Sequence, residues 1–324
     1  MPAPQRTTAR SALVRTGAQS PRPALERLAG LVAVAGEQWQ VGTARCGGVG
    51  PSLAEALYER WYTVPDPAPM AVSGDPLVRS RSLVGALRAA HADAGLTDEQ
   101  WVVSQAGPTG VLTATSGAHT RKLQPGDYVV VGRPGAPAAP GEVVHAVGRL
   151  DAVDEERALW WTFTRDGPAA PLGRIYLDVR PATAPRALHE VTAALAEVGA
   201  NYQLKCPVDP GAFERVDAMV LYHPRAVRDD VLAALGARWE VLGPLLDPAV
   251  VPLTSPVAPG LSFADDDGDP TRSFGEVRCQ ALAAALVAAG TAWSACSTSE
   301  RVALLAAGLA SAGFDPGAPW SAAP

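Results

Sequence analysis

A strand that breaks and then resumes constrains this chain more than any other stretch. Asn201–Tyr222 reads NYQLKCPVDPGAFERVDAMVLY. Its first part alternates. Tyr202, Leu204 and Cys206 point one way and Asn201, Gln203 and Lys205 the other, as a half-buried strand requires. Pro207 and Pro210-Gly211 end it, and the apolar run Ala218–Tyr222 predicts a second strand. Lys205 is one of only two lysines, the other being Lys122; the remaining basic residues are arginines. A lysine in mid-strand near arginines can be pushed toward its neutral form by burial and like charge, and a neutral amine is a base. The plain alternative is a lysine at a strand end with its head in water.

The rest of the chain falls into order around that pair. Of 324 residues, the first 22 read as a basic, polar, disordered tail without the apolar core of a signal peptide. Residues 23–150 read as a helical region followed by a small β unit, and residues 151–324 as an α+β domain. Over 24–62 helical spacing (Leu25, Leu28, Leu31, Val32; then Leu53, Ala56, Leu57, Tyr58) is interrupted by the loop Gly47–Pro51. A helix follows over 78–94. Short strands are predicted at 101–104, 110–116, 127–131 and 142–149, with His119, Arg121 and Lys122 on a loop among them. Two more follow: 157–164, with Leu159, Trp161 and Phe163 on one face, and 173–180, the cleanest alternation in the chain. Helices are expected at 185–198, 226–235, 273–289 and 299–312. Residues 244–259 read as irregular and 260–270 as a loop. The order implies a mostly antiparallel sheet with packed helices.

Several functions are excluded on this basis. A net charge of −6 and the absence of basic stretches interleaved with aromatics argue against nucleic acid. No run reaches the roughly eighteen apolar residues of a membrane span; the richest, Ala281–Ala289, is short. The four scattered cysteines fit free thiols in a reducing cytoplasm. Asp265-Asp266-Asp267-Gly268-Asp269 invites a calcium loop, but the turn position that needs glycine is Pro270. Gly260–Ala264 half resembles a nucleophile elbow, yet every histidine precedes it. The five histidines show no metal-ligand spacing, and no cofactor fingerprint is present.

What remains is cationic. Strand 173–180 presents Arg174 and Tyr176 on its polar face, and the next strand presents Lys205. Arg215 and Tyr222 bracket the following strand. Their parity differs, so they share a face only across a bulge or beyond the strand end. Arg272 and Arg278 flank a helix start. Guanidinium groups grip phosphate oxygens in pairs, so a phosphate monoester suits this set.

The phrases GRIYLDVRP, NYQLKCP, FERVDAMVLY and APGLSFADDDGDPTRSFGEVRC resemble the HopA-type effector family from about Arg157 to Ala289, with a weaker echo at LQPGDYV. Such proteins act as the lyase partner in class V lanthipeptide and thioamitide biosynthesis. There they accompany a Ser/Thr kinase resembling aminoglycoside phosphotransferases, and they are distantly similar to phosphothreonine lyases. The resemblance implies elimination of phosphate from phosphoserine or phosphothreonine in a leader-bearing precursor peptide, without cofactor. By position, Lys205 takes the role of base, and Arg174 and Tyr176 stand where a Lys-x-His pair lies. Arg215, Arg272 and Arg278 would clamp phosphate, with Tyr222 lining the site. No histidine stands at the general-acid position. Tyr176, His223, or no acid at all then serves the leaving group. On this reading the N-terminal 150 residues bind leader or kinase. Two alternatives stand beside it: a non-catalytic phosphopeptide- or leader-binding subunit of the kinase, and a HopA-like effector.

Overall fold

The computed structural model describes residues 20–36, 38–47, 50–66, 80–93, 97–133, 135–147, 150–265 and 272–321. The expected disordered tail, apart from its last residues, and four of the five residues of the acidic stretch 265–269 lie outside that set.

The chain is α+β. Seven strands form its main sheet: β9 (Leu150–Asp154), β10 (Leu159–Phe163), β11 (Leu172–Leu177), β12 (Gln203–Pro207), β13 (Met219–Pro224), β14 (Ser255–Ala258) and β15 (Leu261–Asp265). Their spatial order is β14-β15-β11-β13-β12-β10-β9, and each pairing is antiparallel. Alternation sorts the side chains to two faces. Ile175, Leu177, Leu204, Cys206, Met219 and Leu221 pack against α3 (Ser80–Ala90), α4 (Ala184–Val198) and α5 (Arg228–Ala237). Tyr176, Val220 and Ala264 turn the other way. They meet α1 (Arg22–Leu31), α2 (Leu53–Leu57) and its π-helical continuation Tyr58–Tyr62, α7 (Phe274–Ala289) and α8 (Thr298–Ser311). Helices therefore cover both faces, because the strands carry apolar residues at both parities.

Two further sheets precede this one. β1 (Val32–Ala35), β2 (Gln38–Val41) and β3 (Ala44–Arg45) form a small meander, where the sequence reads as irregular chain. A five-stranded sheet has the order β6-β5-β4-β8-β7, built from β4 (Thr97–Ala106), β5 (Leu112–Ser116), β6 (His119–Leu123), β7 (Tyr128–Val130) and β8 (Val143–Val147). His119, Arg121 and Lys122 thus belong to strand β6, not to a loop. Gly117, at φ 57°, turns the chain tightly enough to close a β5–β6 hairpin, and Arg121 reaches Asp151 at 3.4 Å.

Local capping sets the ends of two later helices. α4 ends on Gly199 in the left-handed region, and Ser273 and Glu276 form a capping box on α7. The predicted loop 260–270 is instead strand at its start. β14 and β15 form a hairpin in which Ser262 lies opposite Tyr176, so the elbow-like segment is plain strand. Pro256 and Gly260 read as breakers. However, β14 is an edge strand, where proline forfeits no needed bond, and Gly260 turns the hairpin at φ 74°.

The boundary drawn at 150/151 does not coincide with a gap in the core. Leu25, Leu28, Val41, Leu57 and Trp61 share one apolar cluster with Tyr176, Phe274 and Leu286. No described helix is long and apolar enough to cross a membrane.

Asp178, just past β11, is 4% exposed, and its Oδ2 has no hydrogen-bond partner. Burial, and then the neighbouring Asp247, push its carboxyl up to about 8. A folded value above the unfolded one means that folding takes up a proton. Stability therefore falls as pH rises from about 4 to about 8, and is flat outside that window. Asp178→Asn removes this penalty. Thermal melts are expected to show the variant gaining over wild type much more at about pH 8.5 than at about pH 5. An equal gain at both would mean that Asp178 is ionised in the fold at either pH.

Candidate active site

Register places the polar residues of three strands in rows. Arg174, Tyr222 and Gln203 lie side by side across β11, β13 and β12. One step along, Tyr176, Val220, Lys205 and Trp161 form the next row, across β11, β13, β12 and β10. All are on the face covered by α1, α2, α7 and α8. That helical layer stops short of β12 and β10, leaving a cleft of about 600 Å³. Its floor is the exposed end of these rows. Its rim comes from Tyr58 of the π-helical turn, Arg272 and Ser273 before α7, and the turns carrying Arg157 and Arg215.

Lys205 stands over the floor. Its Nζ lies 5.9 Å from the ring centroids of both Trp161 and Tyr222, which stack on each other at 5.9 Å and 29°. Among the described residues it makes no ion pair or hydrogen bond. Arg174 is 6% exposed, lies 5.1 Å from the Tyr222 ring and bonds to Tyr176. Four guanidinium groups (Arg157, Arg174, Arg215, Arg272) and the Lys205 amine face three carboxylates (Asp209, Asp217, Glu276) in the cleft. Each carboxylate is already engaged. Asp217 holds Arg215, Glu276 caps the Ser273 N–H, and Asp209 accepts from Gly211 N–H. The balance left over is positive, as a dianionic ligand requires.

Of the residues singled out from sequence, Lys205, Arg174, Arg215, Tyr222 and Arg272 line this one cleft. Arg215 lies in the turn before β13, beyond the strand end, so its parity conflict with Tyr222 vanishes. Tyr176 lies beneath Arg174, 4% exposed; burial raises its phenol well above the ordinary value, keeping it protonated.

Two residues are elsewhere. His223 follows Tyr222 directly, so a strand must turn it to the opposite face. It is fully buried against Gly173, its Nδ1 is bonded to the Pro224 carbonyl, and burial lowers its pKa. It cannot serve as acid in the cleft. Arg278 is also fully buried. It lies between the rings of Phe274 and Phe314 at 3.9 and 4.1 Å and donates to the Pro319 carbonyl. One turn of helix into α7, it faces the C-terminal segment rather than the cleft.

Sequence reasoning missed Tyr58, Arg157, Trp161 and Asp217. Trp161 sits on the face read as apolar core; the core side of β10 is that of Trp160, 1% exposed. Parity with Lys205 on a paired strand was the available signal. Tyr58 carried none, since its position on an apolar helical stripe reads as core.

The match to a profile of the HopA1 effector protein family covers residues 153–320. Solved structures are similar too, two effector proteins among them. The effector protein from Pseudomonas syringae pv. tomato strain DC3000 is 14% identical, with 82% of this chain and 89% of that one covered at a TM-score of 0.47. The effector protein from Pseudomonas syringae pv. syringae strain 61 is 19% identical, with 53% and 66% covered at 0.39. No curated protein matches the chain. With the profile match spanning more than half of the residues and running through all four strands that floor the cleft, this chain belongs to the HopA1 effector protein family.

Proposed function

We propose that the chain is a phosphoserine/phosphothreonine lyase. It eliminates phosphate from a kinase-phosphorylated, leader-bearing precursor peptide, giving dehydroalanine or dehydrobutyrine in class V lanthipeptide or thioamitide biosynthesis. Its partner is a Ser/Thr kinase resembling aminoglycoside phosphotransferases, in a heteromeric complex. The observation that carries this reading is the Lys205 amine, without ion pair or hydrogen bond among the described residues, in one cleft with Arg174 and Arg215.

The chemistry follows from that floor. The Lys205 amine takes the α-proton, and the C–H electrons become the Cα=Cβ bond. The Cβ–O bond breaks and phosphate departs with its electron pair. Arg174, beside Lys205, stabilises the enolate that develops on the substrate carbonyl. Arginines of the cleft hold the phosphate, each charge-assisted hydrogen bond contributing roughly 1.5–3 kcal/mol. With His223 on the far face and Tyr176 buried beneath Arg174, the leaving phosphate departs without a histidine acid, neutralised by guanidinium groups. Lys205 then returns its proton to water.

The test is direct: incubation with a phosphoserine or phosphothreonine peptide, read by mass spectrometry and phosphate release. Loss of phosphoric acid, leaving an alkene that adds thiols, is the expected result. Loss of phosphate with a hydroxyl retained would make the protein a phosphatase instead. His223→Asn is expected to keep the elimination rate within about threefold and the shape of its pH profile. Loss of one limb of that profile would restore His223 as the acid.

A non-catalytic phosphopeptide-binding subunit is favoured by one feature, the absence of a described histidine from the cleft lining. Tight binding of phosphopeptide with no product over hours would select that reading.

A further inference from the structure

Asp217 is a carboxylate in the lining of a cleft whose surplus charge is positive. Its side chain is 8% exposed. Standing there it repels any phosphate, a disadvantage unless it serves one of the cations. Both of its oxygens are taken by Arg215: Oδ1 accepts from Nε at 2.9 Å and Oδ2 from Nη2 at 3.0 Å. The same Nη2 donates to the Tyr58 hydroxyl at 3.0 Å, and the Arg215 guanidinium lies 5.3 Å from the Tyr58 ring. The turn itself is pinned, since Val216 N–H donates to the Thr63 carbonyl at 3.0 Å. Three contacts thus hold a guanidinium that would otherwise swing on a flexible stem in a solvent-open cleft. Nη1 keeps its two N–H groups without a partner among the described residues.

We propose that Asp217 is a positioning residue for phosphate capture: it fixes the Arg215 fork so that the Nη1 edge meets the phosphate already oriented. The proposal rests on the reading of the cleft as a phosphate-lyase site. A planar fork held at both ends loses little freedom when it binds, whereas a free arginine must be ordered by its ligand. Asp217 therefore offsets its own repulsion by acting through Arg215, and only through Arg215.

A double-mutant cycle tests this. Wild type, Arg215→Ala, Asp217→Asn and the double variant are titrated with inorganic phosphate by calorimetry and assayed for KM and kcat on a phosphopeptide. Asp217→Asn is expected to weaken phosphate binding and raise KM by about tenfold, with a smaller change in kcat. In the Arg215→Ala background the same change is expected to do nothing further. Tighter phosphate binding by Asp217→Asn, or losses that multiply in the double variant, would overturn the positioning role while leaving the lyase reading intact. A wild type that neither binds phosphate nor converts phosphopeptide removes the site reading, and the positioning role with it. Should Asp217→Asn not fold, Arg215→Lys probes the same geometry. It keeps the charge but not the fork, and is expected to lose nearly as much affinity as Arg215→Ala; retention of wild-type affinity would overturn the proposal.

Discussion

Lys205→Ala is expected to abolish phosphate elimination, lowering kcat by at least about a thousandfold, while phosphopeptide still binds within a fewfold of wild type. The split follows from the geometry. Arg174, Arg215, Arg157 and Arg272 stay in the cleft without Lys205, so the grip on phosphate persists. What goes is the one described amine that reaches the floor. An α-proton beside a peptide carbonyl is too weakly acidic to leave without a base held close to it. Lys205→Arg sharpens the test. It keeps a long basic side chain over the Trp161 and Tyr222 rings, but a guanidinium does not give up its proton and so cannot take another. It is expected to be as inactive as the alanine variant. Binding is read by anisotropy of a labelled phosphopeptide and turnover by mass spectrometry. Turnover by either variant at more than a tenth of the wild-type rate would remove Lys205 as the base.

Arg278→Ala is expected to lower stability by about 3 kcal/mol and the melting temperature by several degrees, with phosphate binding by the folded fraction unchanged. The side chain is fully buried between two phenyl rings. Its Nε and Nη2 both bond the Pro319 carbonyl, at 3.2 and 3.0 Å, and Nη2 also reaches Ser321. Truncation empties the slot between the rings and strips those carbonyls of their donor, both costly in a buried setting. The same C-terminal segment is tied to β15 by the Asp265 N–H bond to the Trp320 carbonyl. Protease sensitivity near residue 315 is therefore expected to rise with the loss of the anchor. Arg278→Lys is expected to recover little, since an ammonium neither fills the planar slot nor donates from two nitrogens at once. A variant that melts like wild type yet loses phosphate would return Arg278 to the binding site.

The difference between Arg278 and Arg272 shows where sequence reasoning stops. Both flank the start of α7 and carry the same charge. Arg272 precedes the cap and lines the cleft; Arg278 follows it by one helical turn and enters the core. Their separation along a helix does not say which side meets the sheet, because α7 is apolar around most of its circumference. Tyr222 and His223 are the opposite case. Strand periodicity alone forbids neighbours from sharing a face, so the placement of His223 was legible before any coordinates. The β14–β15 hairpin was obscured by Pro256 and Gly260, which break interior strands but suit an edge strand and its turn.

Period-two alternation and its interruptions were enough, from sequence alone, to define the central strands, with Arg174 and Tyr176 together on the polar face of one and Lys205 on the polar face of another. Those features depend on residues within a few positions of one another, where steric and hydrogen-bonding rules act locally. Which cations share a cleft, and which is spent in the core, was decided only by packing. Tyr58 reaches Arg215 across 157 positions of chain because the helices of the N-terminal region and α7 bury one apolar surface together against the sheet. No local rule specifies where that surface ends and the open floor begins.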